Sequence, residues 1–257
     1  MNEAIDAGGV GRLKRCRYGY MLYNRHDLYI GRSLDLYGEW GQPELTLLSL
    51  LLQPGDVVID VGANIGTHTV FVAQKVGPAG RVFAFEPQRI VFQMLCANVA
   101  LGGHNNVHTV NAGLSRQPGT LLLPALTYDQ AANYGNVRLS RTNDGESTAI
   151  MTLDQMPLER CQLLKIDVEG MELEVLEGGK ALIERTKPVV YVENNDPNKS
   201  PALIRHLLEL NYHLFWHFSR FYSPANFALV TTSRPDRQKV IELRLKPPVS
   251  SNSSRIC

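Results

Sequence analysis

The sequence lacks three features that would each define a class of protein. Its 26 basic and 25 acidic residues leave a formal net charge of +1, so no broad electrostatic field exists to attract nucleic acid. Its four cysteines are scattered and form no Cys-x-x-Cys pair, which argues against a zinc site and against a disulfide scaffold. No run approaches the roughly 18 uncharged apolar residues of a membrane span, and the first residues lack the apolar core of a signal peptide. We therefore expect a cytoplasmic protein with no nucleic-acid partner and no membrane span.

What the sequence does contain is a regular alternation of two kinds of segment. Five β-branched runs are each typical of a strand buried on both faces: VVIDVG, RVFAFEP, NVHTVNAGLS, CQLLKIDVEG and PVVYVENN. Helical segments lie between them and several end at glycines. This order predicts a Rossmann-like α/β fold, with a seven-stranded, mostly parallel sheet and helices on both faces. An antiparallel last hairpin is predicted from YHLFWHF and FALVTTS.

The first fifty residues precede this alternation and are expected to form an extension of the main domain. RYGYMLYNRHDLYIG alternates apolar and polar residues, which predicts a hairpin with its turn near Asn24 and Arg25. PELTLLSLL predicts a helix with Pro43 in its first turn. Residues 1–12 are expected to be loose. As a unit, residues 1–50 are predicted to form a lid or a wall of a substrate site.

The main domain is assigned to residues 51–244, with an insertion at residues 115–150. The insertion is rich in turn formers and lacks helical periodicity, so it predicts one short strand, TLLL, and a long loop. Loops of this length in compact domains tend to be lids or binding loops, and we expect this one to select the substrate. The polar tail, residues 245–257, is expected to be disordered.

The stretch VVIDVGANIGTHTVF contains half of a nucleotide-binding fingerprint. A buried strand leads through Asp60 to Gly62 and Gly66, which open a helix. A dinucleotide-binding turn requires G-x-G-x-x-G, whose bare backbone faces a pyrophosphate, and here the middle glycine is absent. The spacing therefore favours S-adenosylmethionine, whose ammonium group can pair with Asp60 and whose carboxylate can approach the start of the next helix.

Polar residues follow each predicted strand, and the carboxyl ends of parallel strands meet at one edge of a sheet. Glu86 ends the second strand, 20 residues after Gly66, where it can hold the ribose hydroxyls. Asn111 ends the third strand, and Asp167 ends the fourth. The residues predicted to bind the cofactor are Asp60, Gly62, Ala63, Asn64, Gly66, Thr67, His68, Glu86, Pro87, Asn111 and Asp167.

Four segments stand in a fixed order along the chain: DVGANIGTHT, FAFEP, LLKIDVEGMELEVLEGG and VVYVEN. With the lead-in LYGEWGQPELTLLSLLLQPG, they resemble the FkbM family of S-adenosylmethionine-dependent methyltransferases. The resemblance runs from about Tyr18 to Thr232, and the segment beginning IDVEG is its most specific part. It implies a class I methyltransferase fold. It also implies O-methylation of a hydroxyl on a small molecule, such as a sugar or a polyketide.

Methyl transfer needs a nucleophilic oxygen in line with the sulfonium methyl group, and the protein supplies orientation and a base. Asp167 ends the central strand, where the methyl group should lie, and Glu193 ends the adjacent strand, so these two are the predicted catalytic residues. With Asn194, they could also hold Mg²⁺, which prefers oxygen ligands. The metal would then lower the pKa of the acceptor hydroxyl. The sequence leaves both arrangements open.

Several of these residues also have structural explanations. Asp60 could cap the helix that follows it, and Glu86 could be a turn carboxylate. Asn64 could hold a left-handed turn, and Asp167 could tie down the loop after its strand. Other functions stay open as well: an N-methyltransferase, a non-catalytic cofactor-binding module, or a nicotinamide-dependent oxidoreductase, although the last requires the missing glycine. The sequence does not determine the acceptor or the oligomeric state.

Overall fold

The structure is a computed structural model that describes residues 3–137, 145–219 and 239–243. Its N-terminal part begins with an antiparallel sheet of three strands: β1 (Ile5–Asp6), β2 (Gly11–Cys16) and β3 (Gly19–Asn24). Two helices follow, namely α1 (Ile30–Tyr37) and α2 (Gln42–Leu51). The predicted helix over PELTLLSLL is therefore present, with its proline in the first turn.

The N-terminal hairpin lies earlier in the chain than the sequence predicts. β2 and β3 pair from Gly11 opposite Asn24 to a two-residue turn at residues 17–18. The turn predicted near Asn24 and Arg25 is therefore wrong. The expectation that residues 1–12 are loose is also wrong where β1 and the start of β2 form.

Asn24 ends a strand instead of turning a hairpin. Its side-chain oxygen accepts a hydrogen bond from the His26 amide at 2.8 Å. The carboxylate of Asp27 accepts hydrogen bonds from the backbone amides of Tyr29 and Gly31. These short-range bonds satisfy backbone donors of the turn and of the first residues of α1, so the chain after Asn24 leads into a helix instead of a second strand.

Within the described residues, ten further strands form two sheets. In chain order they are β4 (Val57–Val61), β5 (Arg81–Phe85), β6 (Val107–Val110), β7 (Gly113–Leu114), β8 (Gly119–Leu123), β9 (Glu146–Met151), β10 (Leu163–Ile166), β11 (Val189–Glu193), β12 (Trp216–Ser219) and β13 (Lys239–Leu243). The central sheet has the order β12-β13-β11-β10-β4-β5-β6. Its strands from β11 to β6 are parallel, and β12 and β13 pair antiparallel. The predicted fold class is confirmed.

Two strand assignments need correction in detail, and a third is not tested. The predicted strand FALVTTS lies outside the described residues, and β12 pairs antiparallel with β13. The run NVHTVNAGLS divides between β6 in the central sheet and β7 in a second sheet of order β7-β9-β8. The insertion at residues 115–150 supplies β8, as predicted, and also most of β9, which was not predicted. The predicted tail, residues 245–257, lies outside the described residues.

Five further helices connect these strands: α3 (Thr67–Val76), α4 (Arg89–Leu101), α5 (Glu172–Glu177), α6 (Lys180–Thr186) and α7 (Ser200–Glu209). Alternate residues of the central strands pack on opposite faces of the sheet, as the two-residue period of a strand requires. One face packs against α2 and α3, and the other packs against α5, α6 and α7. The sheet is therefore covered on both faces, and its carboxyl edge stays available for ligands.

The sequence pattern does not predict the helix α6, because the two glycines before it indicate the end of the preceding helix. Its first free amides, those of Ala181 and Leu182, donate to the carboxylate of Asp154, at 3.2 and 2.7 Å. Asp154 belongs to a short 3₁₀ turn, Leu153–Gln155. The helix thus starts on a contact from a distant part of the chain, which a local pattern cannot reveal.

A fully buried asparagine joins the N-terminal sheet to the central domain. Asn98 in α4 accepts the Leu22 amide at 2.6 Å and donates to the carbonyls of Leu22 and Ile65, at 2.9 and 2.7 Å. Ile65 lies in the loop between β4 and α3. The N-terminal sheet is therefore anchored directly behind the predicted cofactor turn.

Candidate active site

The glycine turn between β4 and α3 is held against the end of the neighbouring strand. Gly62 has a φ of 77°, and a Cβ atom there would lie 1.8 Å from the carbonyl oxygen of Asp167. Gly66 has a φ of 90°, and its Cβ would lie 2.7 Å from the side chain of Leu95. Asn64 also adopts a positive φ, 51°, so its left-handed conformation is present. Both glycines are needed for backbone reasons as well as for any ligand contact.

Backbone hydrogen bonds tie the same turn to the end of β5. The amides of Gly62 and Ala63 both donate to the carbonyl of Phe85, at 3.0 and 2.9 Å. The amide of Asn64 donates to the carboxylate of Glu86 at 2.9 Å. Two strand ends and the turn therefore form one rigid unit, in which the predicted cofactor residues Ala63, Asn64 and Glu86 lie together.

Glu86 is a buried carboxylate at the mouth of the sheet. Its second oxygen accepts the amide of Gln88 at 2.9 Å. The pKa of Glu86 is raised to about 7, chiefly by burial and also by nearby Asp60, whereas the two donated amides and Lys165 oppose the shift. Each carboxylate oxygen has a second lone pair, so Glu86 can still accept hydrogen bonds from hydroxyl groups.

Asn111 and Pro87 shape the loop beside Glu86. The side-chain amide of Asn111 donates to the carbonyls of Glu86 and Pro87, at 2.8 and 3.2 Å. The Thr148 hydroxyl also donates to the Pro87 carbonyl, at 3.2 Å. The structure thus brings both predicted residues to the site, with the Asn111 nitrogen engaged in holding the loop. Their contact with a cofactor stays a prediction.

Asp60 is buried below the turn and already has two partners. One oxygen accepts the Thr69 hydroxyl at 2.7 Å, and the other lies 2.9 Å from the ammonium group of Lys165. The side chains of Asp60 and Lys165 are 1% and 5% exposed. Direct pairing of Asp60 with a cofactor ammonium group stays a prediction. The ion pair, which sequence reasoning missed, gives Asp60 a second role inside the protein.

The first turn of α3 contains the predicted residues Thr67 and His68, both buried. The Nε2 atom of His68 lies 2.8 Å from the carboxylate of Glu44 in α2, and its Nδ1 atom lies 3.5 Å from the Thr67 hydroxyl. Gly41 permits this contact, because a Cβ there would lie 2.8 Å from the His68 ring. The extension therefore packs on the start of α3, and a role of the His68 side chain in cofactor binding stays a prediction.

Three carboxylates cluster at the ends of β10 and β11. Oxygen atoms of Asp167, Glu169 and Glu193 all lie within 4.8 Å of one another, and Glu193 is buried. The side-chain amide of Asn195 donates to Glu193 at 3.0 Å. The predicted catalytic pair, Asp167 and Glu193, is thus brought together, and Glu169, whose φ is 55°, lies in the same cluster. Asn194 is buried at the same strand end, and its role as a metal ligand stays a prediction.

The insertion contributes residues that the sequence did not single out. The side-chain amide of Gln88 donates to the carbonyl of Tyr134 at 2.9 Å, and the rings of Tyr128 and Tyr134 stack 4.9 Å apart. A Cβ on Gly135 would lie 3.1 Å from the side-chain nitrogen of Asn64. The insertion therefore covers the glycine turn and Gln88. Its length and turn-rich composition were the available signal, as expected for a binding loop.

A family model described as the methyltransferase FkbM domain matches residues 60–214. The match covers more than half of the chain and includes the glycine turn, Glu86 and the carboxylate cluster. The chain belongs to the FkbM methyltransferase family. It is an S-adenosylmethionine-dependent methyltransferase, which confirms the resemblance drawn from the four sequence segments.

Three relatives of known name support this membership. The methyltransferase sdnD of Sordaria araneosa is 30% identical over 213 residues, which cover 70% of this chain and 82% of that protein. The hexuronic acid methyltransferase AglP of Haloferax volcanii is 32% identical over 154 residues, 58% of this chain and 59% of that protein. The 31-O-demethyl-FK506 methyltransferase FkbM of Streptomyces tacrolimicus is 34% identical over 158 residues, 49% of this chain and 60% of that protein. The chain thus spans about three fifths of the length of AglP and of the Streptomyces FkbM.

The fold agrees with this family. The crystal structure of the methyltransferase FkbM from Methylobacillus flagellatus superposes with a TM-score of 0.54 at 17% identity, covering 80% of this chain and 48% of that one. Among the residues that the structure describes, no helix combines the length and the apolar character needed to cross a membrane.

Proposed function

We propose that this methyltransferase transfers the methyl group of S-adenosylmethionine to a hydroxyl oxygen of a small molecule, such as a sugar or a polyketide. The observation that best supports the proposal is the cluster of Asp167, Glu169 and Glu193, whose oxygens lie within 4.8 Å of one another. The cluster lies beside the glycine turn, since a Cβ on Gly62 would touch the Asp167 carbonyl. A group of acceptors for a proton is thus placed next to the cofactor turn.

The proposed roles of the chain's residues follow from this arrangement. Glu86 accepts hydrogen bonds from the ribose hydroxyls, and the free amides at the start of α3, beside Thr67 and His68, receive the cofactor carboxylate. When bound, the cofactor supplies an electrophilic methyl group on a sulfonium centre. Asp167 or Glu193 then orients the acceptor hydroxyl and takes its proton as the oxygen–carbon bond forms.

The same carboxylates also fit a hard divalent cation. Mg²⁺ takes oxygen ligands, several from water, and one or two carboxylates commonly suffice to hold it. Asp167 and Glu193, with Glu169 or Asn194, would hold the ion against the acceptor, where a cation favours the deprotonated hydroxyl. The mechanism with a carboxylate base and the mechanism with Mg²⁺ both place the acceptor oxygen at the ends of β10 and β11. Only the mechanism with Mg²⁺ predicts that removing divalent metal with a chelator abolishes activity.

Two relatives support a hydroxylated small molecule as the acceptor. AglP is named as a methyltransferase of hexuronic acid, and the Streptomyces FkbM as one that acts on 31-O-demethyl-FK506. In this proposal residues 51–244 form the catalytic domain. The extension, residues 1–50, and the insertion, residues 115–150, line the acceptor site. The packing of Gly135 near Asn64 supports this placement for the insertion.

The proposal is tested by incubating the protein with methyl-labelled S-adenosylmethionine and a panel of hydroxylated saccharides and macrolides. Each acceptor is paired with its O-methylated form and with an amino analogue. We expect S-adenosylhomocysteine and a methyl ether to form together, and only with those acceptors that carry a free hydroxyl group. Transfer to the amino analogue alone would contradict O-methylation, and cofactor binding without transfer to any compound would favour a non-catalytic module.

Matched variants locate the chemistry. Asp167→Asn and Glu193→Gln should both lower turnover by about a hundredfold or more, as loss of a base does. In Glu193→Gln, which changes none of the predicted cofactor contacts, cofactor affinity should stay within a few fold. Glu184→Gln, on an exposed side chain of α6, is the control and should leave both unchanged. Activity lost on EDTA treatment and restored by Mg²⁺ would select the metal version.

A further inference from the structure

We propose that Lys165 is a positioning residue for the cofactor: its buried ammonium group holds the glycine turn, and its charge acts on the Glu86 carboxylate beneath the ribose. Asp60 is its counter-ion in this arrangement. The inference rests on the proposed ribose-binding role of Glu86. It concerns cofactor affinity alone, so it can be tested without knowing the acceptor.

Lys165 lies between two neighbouring strands, and its ammonium group also reaches the glycine turn. In the sheet register Lys165 lies opposite Asp60 on β4 and opposite Tyr191 on β11, so the three side chains form one row across a buried face. The ammonium nitrogen lies 2.9 Å from an Asp60 oxygen and 3.4 Å from the carbonyl oxygen of Gly62. Lys165 therefore joins the floor of the sheet directly to the turn.

Stability alone does not explain a charged pair at this position. Removing two charges from water costs several kcal/mol, and well-packed apolar residues often replace a buried ion pair without loss of stability. The residues around the pair on this face are apolar, among them Val58, Val82 and Leu163. The Lys165–Asp60 pair lies directly beneath the glycine turn, where its charge acts on the groups that would contact the cofactor.

Glu86 is the group on which this charge acts. The charged or titratable side chains that act on it are Asp60 and Lys165, on the central strands, and Tyr128, in the insertion. Burial raises the pKa of Glu86 to about 7, Asp60 acts in the same direction, and Lys165 acts against both. The ionised form accepts hydroxyl hydrogen bonds more strongly, so the lysine charge favours the form that binds ribose.

The test is the pH dependence of S-adenosylmethionine affinity, measured by calorimetry from pH 5.5 to 9. In the wild-type protein, affinity should fall about tenfold for each pH unit below a midpoint near 7, as expected for one required ionisation. Lys165→Met should move this midpoint to higher pH, and Asp60→Asn should move it to lower pH. Lys165→Arg keeps the charge and should restore the wild-type midpoint in large part. Lys180→Met, on an exposed lysine of α6, is the control.

Several results would overturn the inference. An unchanged midpoint in Lys165→Met, or an equal loss of affinity at every pH, would mean that Lys165 is only structural. A uniform loss in Asp60→Asn would assign Asp60 to direct contact with the cofactor instead. A Glu86→Gln variant that keeps the wild-type pH profile would show that the ribose role of Glu86 is wrong, which is a separate failure.

A second measurement covers variants that do not fold. The Glu86 carboxyl of the unliganded wild-type protein is titrated by NMR with ¹³C-labelled glutamate, and Glu86→Gln assigns its signal. The wild-type midpoint near 7 should drop when S-adenosylmethionine binds, because the ribose favours the ionised form. A midpoint that does not move on binding would overturn the proposed link between charge and affinity.

Discussion

Replacing Gly62 by alanine should both destabilise the protein and separate the cofactor turn from Asp167. The φ of 77° at Gly62 lies in the left-handed region, which costs an L-residue roughly 1–2 kcal/mol. The new Cβ would also lie 1.8 Å from the Asp167 carbonyl oxygen, so the two backbones must move apart by more than an ångström. Such overpacking costs about 1–3 kcal/mol. We therefore expect a total loss of roughly 2–5 kcal/mol.

Gly103→Ala is the matched control for this change. Gly103 has a similar φ of 64°, but no atom lies within 4 Å of its added Cβ. The control should lose only the conformational part, roughly 1–2 kcal/mol, and the difference between the two variants isolates the contact with Asp167. Urea unfolding of both variants, at one pH and without cofactor, measures these losses.

Cofactor affinity gives the second readout of the same pair. Since the new Cβ pushes the turn away from the Asp167 carbonyl, Gly62→Ala should bind S-adenosylmethionine more weakly than the wild-type protein does. Gly103→Ala should bind it like the wild-type protein. The reasoning is refuted if both glycine variants lose the same stability, or if Gly62→Ala retains wild-type affinity.

Other variants test the supports of the site. Asn98→Ala leaves two buried carbonyls and one amide without their partner, so it should cost roughly 2–4 kcal/mol in urea unfolding; Asn105→Ala, on an exposed residue, should cost little, and equal losses would contradict this. Burial raises the pKa of Glu86 to about 7, so its contribution to stability is present at low pH and is lost as the pH rises through 7. Thermal unfolding should show a lower stability at pH 8 than at pH 6 in the wild-type protein but not in Glu86→Gln. A higher stability of the wild-type protein at pH 8 would contradict this prediction. Asp154→Ala removes the acceptor of two amides at the start of α6 and should cost about 1 kcal/mol in urea unfolding; no change would mean that α6 starts without this cap.

The sequence predicts the parts of the site that depend on local pattern. A buried strand followed by glycines requires only neighbouring residues, so the turn at Gly62 and Gly66 is found at the expected place. The positions of Glu86 and Asp167 follow from where the parallel strands end. The fold class follows from the same alternation, because strands buried on both faces need covering helices.

The sequence does not predict the contacts that join distant parts of the chain. Lys165 and Asp60 are 105 residues apart, and nothing in either strand shows that they share one row of the sheet. Glu44 meets His68 for a similar reason, since the extension packs on α3 only in the folded protein. The start of α6 is not predictable from its own segment for the same reason, because the residue that caps it, Asp154, lies in a distant part of the chain.

The turn between β4 and α3, with Glu86, is expected to hold S-adenosylmethionine. Calorimetric titration of S-adenosylmethionine into the wild-type protein tests this, with S-adenosylhomocysteine as a second ligand and NAD⁺ as the control. We expect saturable 1:1 binding of both sulfur compounds at about pH 8, with no heat from NAD⁺ and weakened binding in Gly62→Ala. Binding of NAD⁺, or of neither sulfur compound, would contradict it.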